Sequence, residues 1–152
     1  MEKLNIFIVE DESIVAKDIQ NSLNRLGYNV VGIANNGKDA IEKITQLQPD
    51  VILMDIMIKG DLTGIDVSDQ IKDKVSAPVI FLTAYADEGT LSKAKITEPY
   101  GYILKPFKEI DLHSTIEMAV YKHKKMPPFK KKETSFIHLL KQRMMLQKTF
   151  SL

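Results

Sequence analysis

The sequence predicts an α/β fold built on a doubly wound, five-stranded parallel sheet. Three observations carry this. Apolar, β-branched runs alternate five times with segments of helical character. The run Val51-Ile52-Leu53-Met54 is apolar at every position, as a strand covered on both faces must be. Polar groups recur where such runs end, on the edge where open α/β sheets carry their ligand crevice.

Leu4 to Val9 is the first strand, and Glu10-Asp11-Glu12 closes it with three carboxylates. Ser13 to Leu26 is a helix with Ile14, Val15, Ile19, Leu23 and Leu26 at helical spacing, and Gly27 follows as its stop. Asn29 to Ala34 is strand two. Asn36-Gly37 turns the chain into a helix over Lys38 to Leu47, with Ile41, Ile44 and Leu47 on one face, and Pro49 ends it. Strand three runs from Val51 to Asp55. A loop from Ile56 to Thr63 leads to a weaker helix from Gly64 to Lys74, showing Ile65 and Ile71. Strand four is Pro78 to Thr83; proline is acceptable at a strand's first position. A polar helix over Asp87 to Thr97, a short strand from Gly101 to Leu104 and a helix from Glu109 to about Tyr121 complete the domain. Leu112, Ile116, Ala119 and Val120 would face inward from that last helix.

The charge divides the chain. Residues 1–121 hold 12 Lys/Arg against 19 Asp/Glu, while residues 122–152 hold nine against Glu133 alone. We therefore read a domain over 1–122 and a basic linker with an amphipathic helical tail over 123–152. The linker (KHKKMPPFKKK, 122–132) should interrupt the preceding helix. In the tail, Phe136, Ile137, Leu139, Leu140, Met144, Met145, Leu146 and Phe150 form a broad apolar face, with Lys141, Arg143 and Lys148 among them. Three roles fit it: packing on the domain or on a dimer mate, connecting to a further domain, or meeting a membrane surface, a protein or nucleic acid. It is too short for a helix-turn-helix domain, so no nucleic-acid-binding domain is expected.

Without cysteine, disulfides and thiolate metal sites are excluded. No apolar run reaches a membrane span, and the N-terminus lacks the shape of a signal peptide, so a cytoplasmic protein with no transmembrane segment is expected.

Glu10-Asp11, Asp55, Thr83 and Lys105 each fall at the end of a different strand and can share one crevice. Paired carboxylates suit a hard cation such as Mg²⁺, and a hydroxyl and an ammonium opposite suit an oxyanion. Together they describe a site that moves a phosphoryl group onto a carboxylate. Taken singly, each residue has a plainer role as helix cap, strand end, solvated lysine or packing aromatic; the conjunction is what points to chemistry. His113, His123 and His138 read as ordinary surface residues.

With these residues in place, the chain resembles the receiver domain of two-component response regulators over residues 3–122, through Glu10-Asp11, Asp55, Thr83-Ala84, Tyr102 and Lys105-Pro106. The resemblance implies a flavodoxin-like (βα)5 sheet of strand order 2-1-3-4-5, and Asp55 as phosphoacceptor. Glu10, Asp11, Asp55 and the backbone carbonyl of Met57 would hold Mg²⁺ (or Mn²⁺). Thr83 and Lys105 would contact the phosphoryl group, the Lys105-Pro106 bond would be cis, and Thr83 with Tyr102 would form a switch that changes the outward face of the fourth helix, the fifth strand and the fifth helix. The donor would be a sensor histidine kinase or phosphotransfer protein. The chain would act as a stand-alone switch that assists its own phosphorylation and dephosphorylation, not as a turnover enzyme. Its downstream protein partner is open, and a homodimer is possible.

Departures from the pattern are Glu10 where Asp is commoner, Lys59 in place of the proline usual in the loop after Asp55, and Gly64 one residue late. Met57 and Tyr85 offer no group to orient water, which implies a fairly long-lived phosphoryl state. Gly101 stands where relatives that dimerise through the adjoining face carry an acid, which places that dimer in doubt. A haloacid-dehalogenase-type hydrolase would need an aspartate where Met57 stands. A receiver-like module that is never phosphorylated would not need the acids, Thr83 and Lys105 together, and a nucleotide-binding protein would need a Gly-rich loop after strand one.

Overall fold

A computed structural model describes residues 3–83 and 101–125. The strands are β1 (Asn5–Val9), β2 (Asn29–Ala34), β3 (Val51–Asp55), β4 (Val79–Thr83) and β5 (Gly101–Leu104). All pair in parallel, in the order β2-β1-β3-β4-β5. The helices are α1 (Ser13–Arg25), α2 (Gly37–Leu47), α3 (Gly64–Ile71) and a C-terminal helix (Glu109–Lys125). The helix expected over 87–97 and the tail beyond 125 lie outside the described residues.

Alternation along the central strands builds two cores, one per sheet face. Phe7, Val9, Ile52, Met54 and Phe81 point to one side and pack with Ala40 and Ile44 of α2 and Val67 and Ile71 of α3. Ile6, Ile8, Leu53, Ile80 and Leu82 point to the other, against Ile19 and Leu23 of α1 and Leu112, Ile116 and Ala119 of the C-terminal helix. Every residue of β3 is buried, as its unbroken apolar run requires.

Local chemistry sets the helix ends. The Asn36 side chain caps α2 by accepting the Asp39 N–H at 2.9 Å, and Thr63 with Asp66 forms a reciprocal capping box at α3. Gly27 follows α1 at φ +92°, the left-handed position a helix stop wants.

Three expectations are corrected. Ile14 is 85 % exposed; the inward stripe of α1 is Ala16, Ile19, Ser22 and Leu23, and Ile14 lies half a turn round the helix from Leu23, facing out. Helix α3 ends at Ile71 rather than Lys74, because Ile71 O accepts from both Lys74 N and Val75 N and the chain turns there. The C-terminal helix runs to Lys125, four residues past Tyr121 and into the basic linker. Lysines propagate a helix well and favour its C-terminal dipole, and the first proline comes only at Pro127.

The C-terminal helix is tied to the corner between α1 and β2. Arg25 pairs with Glu109, and the buried Tyr28 hydroxyl donates to Glu117 Oε1 at 2.6 Å and lies 2.9 Å from His113 Nδ1. His113 is thus half of a docking contact rather than an ordinary surface residue. The signal was the spacing of Glu109, His113 and Glu117, one turn apart on one helical stripe.

Candidate functional site

The crevice lies at the C-terminal edge of β1, β3, β4 and β5. Glu10 leaves β1 with its N–H held by Ala34 O at 3.0 Å, which turns its side chain under the sheet edge. It is 1 % exposed, and its Oε1 accepts the Glu12 N–H at 3.2 Å. Asp11 is partly buried beside it. Asp55 ends β3, buried, with Oδ1 accepting the Met57 N–H at 3.1 Å. Glu10, Asp11 and Asp55 each offer an oxygen within 4.8 Å of the others. Three carboxylates so close repel one another, and they form a donor set that could hold a hard divalent cation.

Lys105 is the counter-charge. Its backbone N–H donates to Thr83 O at 2.8 Å, one step beyond the last pair of the β4–β5 ladder. The Lys105-Pro106 peptide is cis. The side chain spans to two carboxylates, with Nζ 2.6 Å from Glu10 Oε2 and 2.9 Å from Asp55 Oδ2. Burial alone would lower the ammonium, but bonds and charge from Glu10 and Asp55 more than offset it, so Lys105 lies above the ordinary lysine value. Burial, with Asp55 adding to it, pushes Glu10 up to about 7 against the pull of Lys105.

Thr83 is buried at the end of β4. Tyr102 is half-buried and packs on the core face shared with α2 and α3. The Met57 side chain is 75 % exposed, so its backbone, not its thioether, faces Asp55. The strand-end residues singled out in the sequence therefore share one edge, with Tyr102 on β5 opposite Phe81.

Two features of the site escaped the sequence reading. One is the Glu10–Lys105 contact, which joins the acidic cluster to the lysine directly. The other is Gly64, the first residue of α3: a Cβ there would lie 2.1 Å from Asp55 O. The loop from Ile56 to Thr63 thus closes against the backbone of Asp55, with Gly64 N donating to Ile56 O at 2.8 Å and a bridge between Lys59 and Asn36. A cleft of about 330 Å³ opens beside Glu10 and Asp11, lined also by Lys17, Asn35, Asp39 and Lys43.

Comparison with known proteins points the same way. The response regulator receiver domain family model matches residues 6–117. The chain is similar to the transcriptional regulatory protein PdtaR of Mycobacterium tuberculosis, 35 % identical over 116 residues, covering 76 % of this chain and 56 % of PdtaR. It is similar also to the phyllosphere-induced regulator PhyR of Methylorubrum extorquens, 31 % identical over 117 residues, covering 76 % of this chain and 43 % of PhyR. The chain thus spans about half the length of the curated relatives it matches. Among solved structures, the signal receiver domain of a modulated diguanylate cyclase from Desulfovibrio desulfuricans superposes with a TM-score of 0.73 at 36 % identity, covering 81 % of this chain and 98 % of that one. No helix among the described residues is long and apolar enough to cross a membrane.

Proposed function

This chain belongs to the response regulator receiver domain family of two-component signalling, and on that premise we propose that Asp55 is the phosphoacceptor. The observation that carries this reading is the meeting of Glu10, Asp11, Asp55 and Lys105 at one sheet edge. An Asp55 carboxylate oxygen attacks the phosphorus of a phosphohistidine on a sensor kinase or phosphotransfer protein. The O–P bond forms, the N–P bond breaks, and the imidazole leaves with its electron pair and takes a proton from solvent. The Met57 N–H holds Oδ1 and Lys105 holds Oδ2, so the nucleophile is oriented before the donor arrives.

Glu10, Asp11, Asp55 and the Met57 carbonyl would hold Mg²⁺ or Mn²⁺, which supplies positive charge against the phosphoryl oxygens. Lys105 supplies the same from the other side. Thr83 then bonds the phosphoryl group, and Tyr102 follows it inward, which alters the face formed by β5 and the C-terminal helix. This makes the protein a cytoplasmic switch that assists its own loading and unloading rather than a turnover enzyme. The lack of an acid or amide at Met57 and Tyr85 favours a long-lived phosphoryl state.

Incubation with a small phosphodonor and Mg²⁺, followed by intact mass, tests this. Wild type should gain one phosphate and Asp55→Asn none. No gain in wild type, or equal gain in both, refutes the assignment; loss of all label within seconds without a phosphatase refutes the long lifetime.

A further inference from the structure

The C-terminal helix carries an apolar stripe with no partner in the sheet. Ile110 is 63 % exposed, Met118 54 % and Tyr121 60 %. Helical arithmetic puts Ile110, Ser114, Met118, Tyr121 and Lys125 on one line, opposite the buried Leu112, Ile116 and Ala119. Lys125 Nζ sits 5.5 Å from the Tyr121 ring centroid, so the stripe continues to the last described residue. Acids flank its first half: Asp111 and Glu117 are exposed, and Glu109 is partly so.

We propose that residues 134–150 of the same chain cover this stripe as an antiparallel helix. Its apolar residues Phe136, Ile137, Leu140 and Met144 fall on one helical face and supply the facing surface. No acid occurs anywhere in 134–152, while Lys141, Arg143 and Lys148 lie among the apolar positions, complementary to Asp111 and Glu117. Reach permits it. Residues 126–133 span up to about 26 Å when extended, and a Pro-Pro pair at 127–128 is a poor continuation of a helix. The stripe from Ile110 to Lys125 rises about 22 Å, and a 17-residue helix is about 25 Å long. A segment leaving Lys125 can therefore fold back along the whole stripe. This proposal does not depend on phosphoryl transfer.

The chain lacks cysteine, so engineered pairs report alone. In the full chain, Met118→Cys is combined in turn with Phe136→Cys, Leu140→Cys and Met144→Cys; the control pairs the same tail positions with Lys38→Cys on α2, across the sheet. Under mild oxidation at least one Met118 pair should close within a single chain about tenfold faster than its control, and added Asp111→Lys and Glu117→Lys changes should slow it. Equal rates for Met118 and Lys38, disulfides only between two chains, no disulfide at all, or a rate untouched by the charge reversals would each overturn the proposal.

Discussion

Replacing Gly64 by alanine puts one methyl group where no atom fits. The Cβ would stand 2.1 Å from the Asp55 carbonyl oxygen and 3.0 Å from both Asp55 C and Ile56 Cα. These neighbours are backbone, so rotamer change gives no relief. The start of α3 must retreat by about 1 Å, and its Gly64 N to Ile56 O bond, now 2.8 Å, must stretch or break. Overpacking of this kind costs about 1–3 kcal/mol. Alanine's better helix propensity returns at most about 1 kcal/mol. The net loss, about 1–2 kcal/mol, corresponds to a fall of roughly 4–10 °C in Tm for a domain of this size. Because the strain falls on the backbone of Asp55, phosphoryl incorporation measured below the melting range should also slow. Gly60→Ala is the control: Gly60 has φ +101° but open space around it, so it should lower stability through backbone strain alone, by about 1–2 kcal/mol, and leave incorporation intact. A Gly64→Ala protein that melts within about 1 °C of wild type and loads phosphate at the same rate would refute the reasoning.

Tyr28→Phe removes the hydroxyl that joins Glu117 and His113; it should cost about 1 kcal/mol in a denaturant titration and leave phosphate loading unchanged. Ile14→Ala should fall within about 0.5 kcal/mol of wild type, while Ile19→Ala should cost about 2–5 kcal/mol, since Ile14 is 85 % exposed and Ile19 fully buried; similar losses at both would mean that Ile14 is packed. Glu10 titrates near 7 in the fold against an ordinary 4.5. The folded state thus binds this proton more tightly than the unfolded chain. The Glu10 contribution then improves as pH falls from 7 towards 4.5 and is level outside that window, by at most about 3 kcal/mol. Melts of metal-free wild type and Glu10→Gln across that range should diverge with this sign, and parallel profiles would contradict it.

The strands were readable because burial on both faces leaves no position where a polar residue is tolerated, and Val51–Asp55 is the extreme case. Helix faces were readable only where the apolar residues were sorted by angle. Ile14 is as apolar as Ile19 and Leu23, yet it stands two and a half turns before Leu23 and so on the opposite, solvent side of α1. Helix length was least readable where side chains carry no burial signal. Lys122 to Lys125 extend the C-terminal helix on propensity and dipole alone, and Lys72 to Lys74, equally polar, do not extend α3. Both stretches are polar and lysine-rich; what differs is that Ile71 O takes bonds from Lys74 N and Val75 N and turns the chain back toward β4.

The site divides in the same way. Strand ends are written in the sequence, because each apolar run stops at a polar residue, and parallel pairing brings those stops to one edge. Glu10, Asp55, Thr83 and Lys105 could be placed together on that ground alone. Reach could not be read. The sequence assigned Glu10 to a cation and Lys105 to an anion, yet one ammonium lies within 2.9 Å of both Glu10 and Asp55, since a glutamate arm is long enough to cross under Asp55. Gly64 was legible as the first residue of a helix, arriving one position late. Its purpose is set by the distance between two backbones, and that distance follows from how α3 packs through Val67 and Ile71, not from any local pattern. Side-chain type at strand ends thus predicts which groups meet, while packing of the next helix decides how closely they meet, and in this protein the closest approach is made by a residue with no side chain.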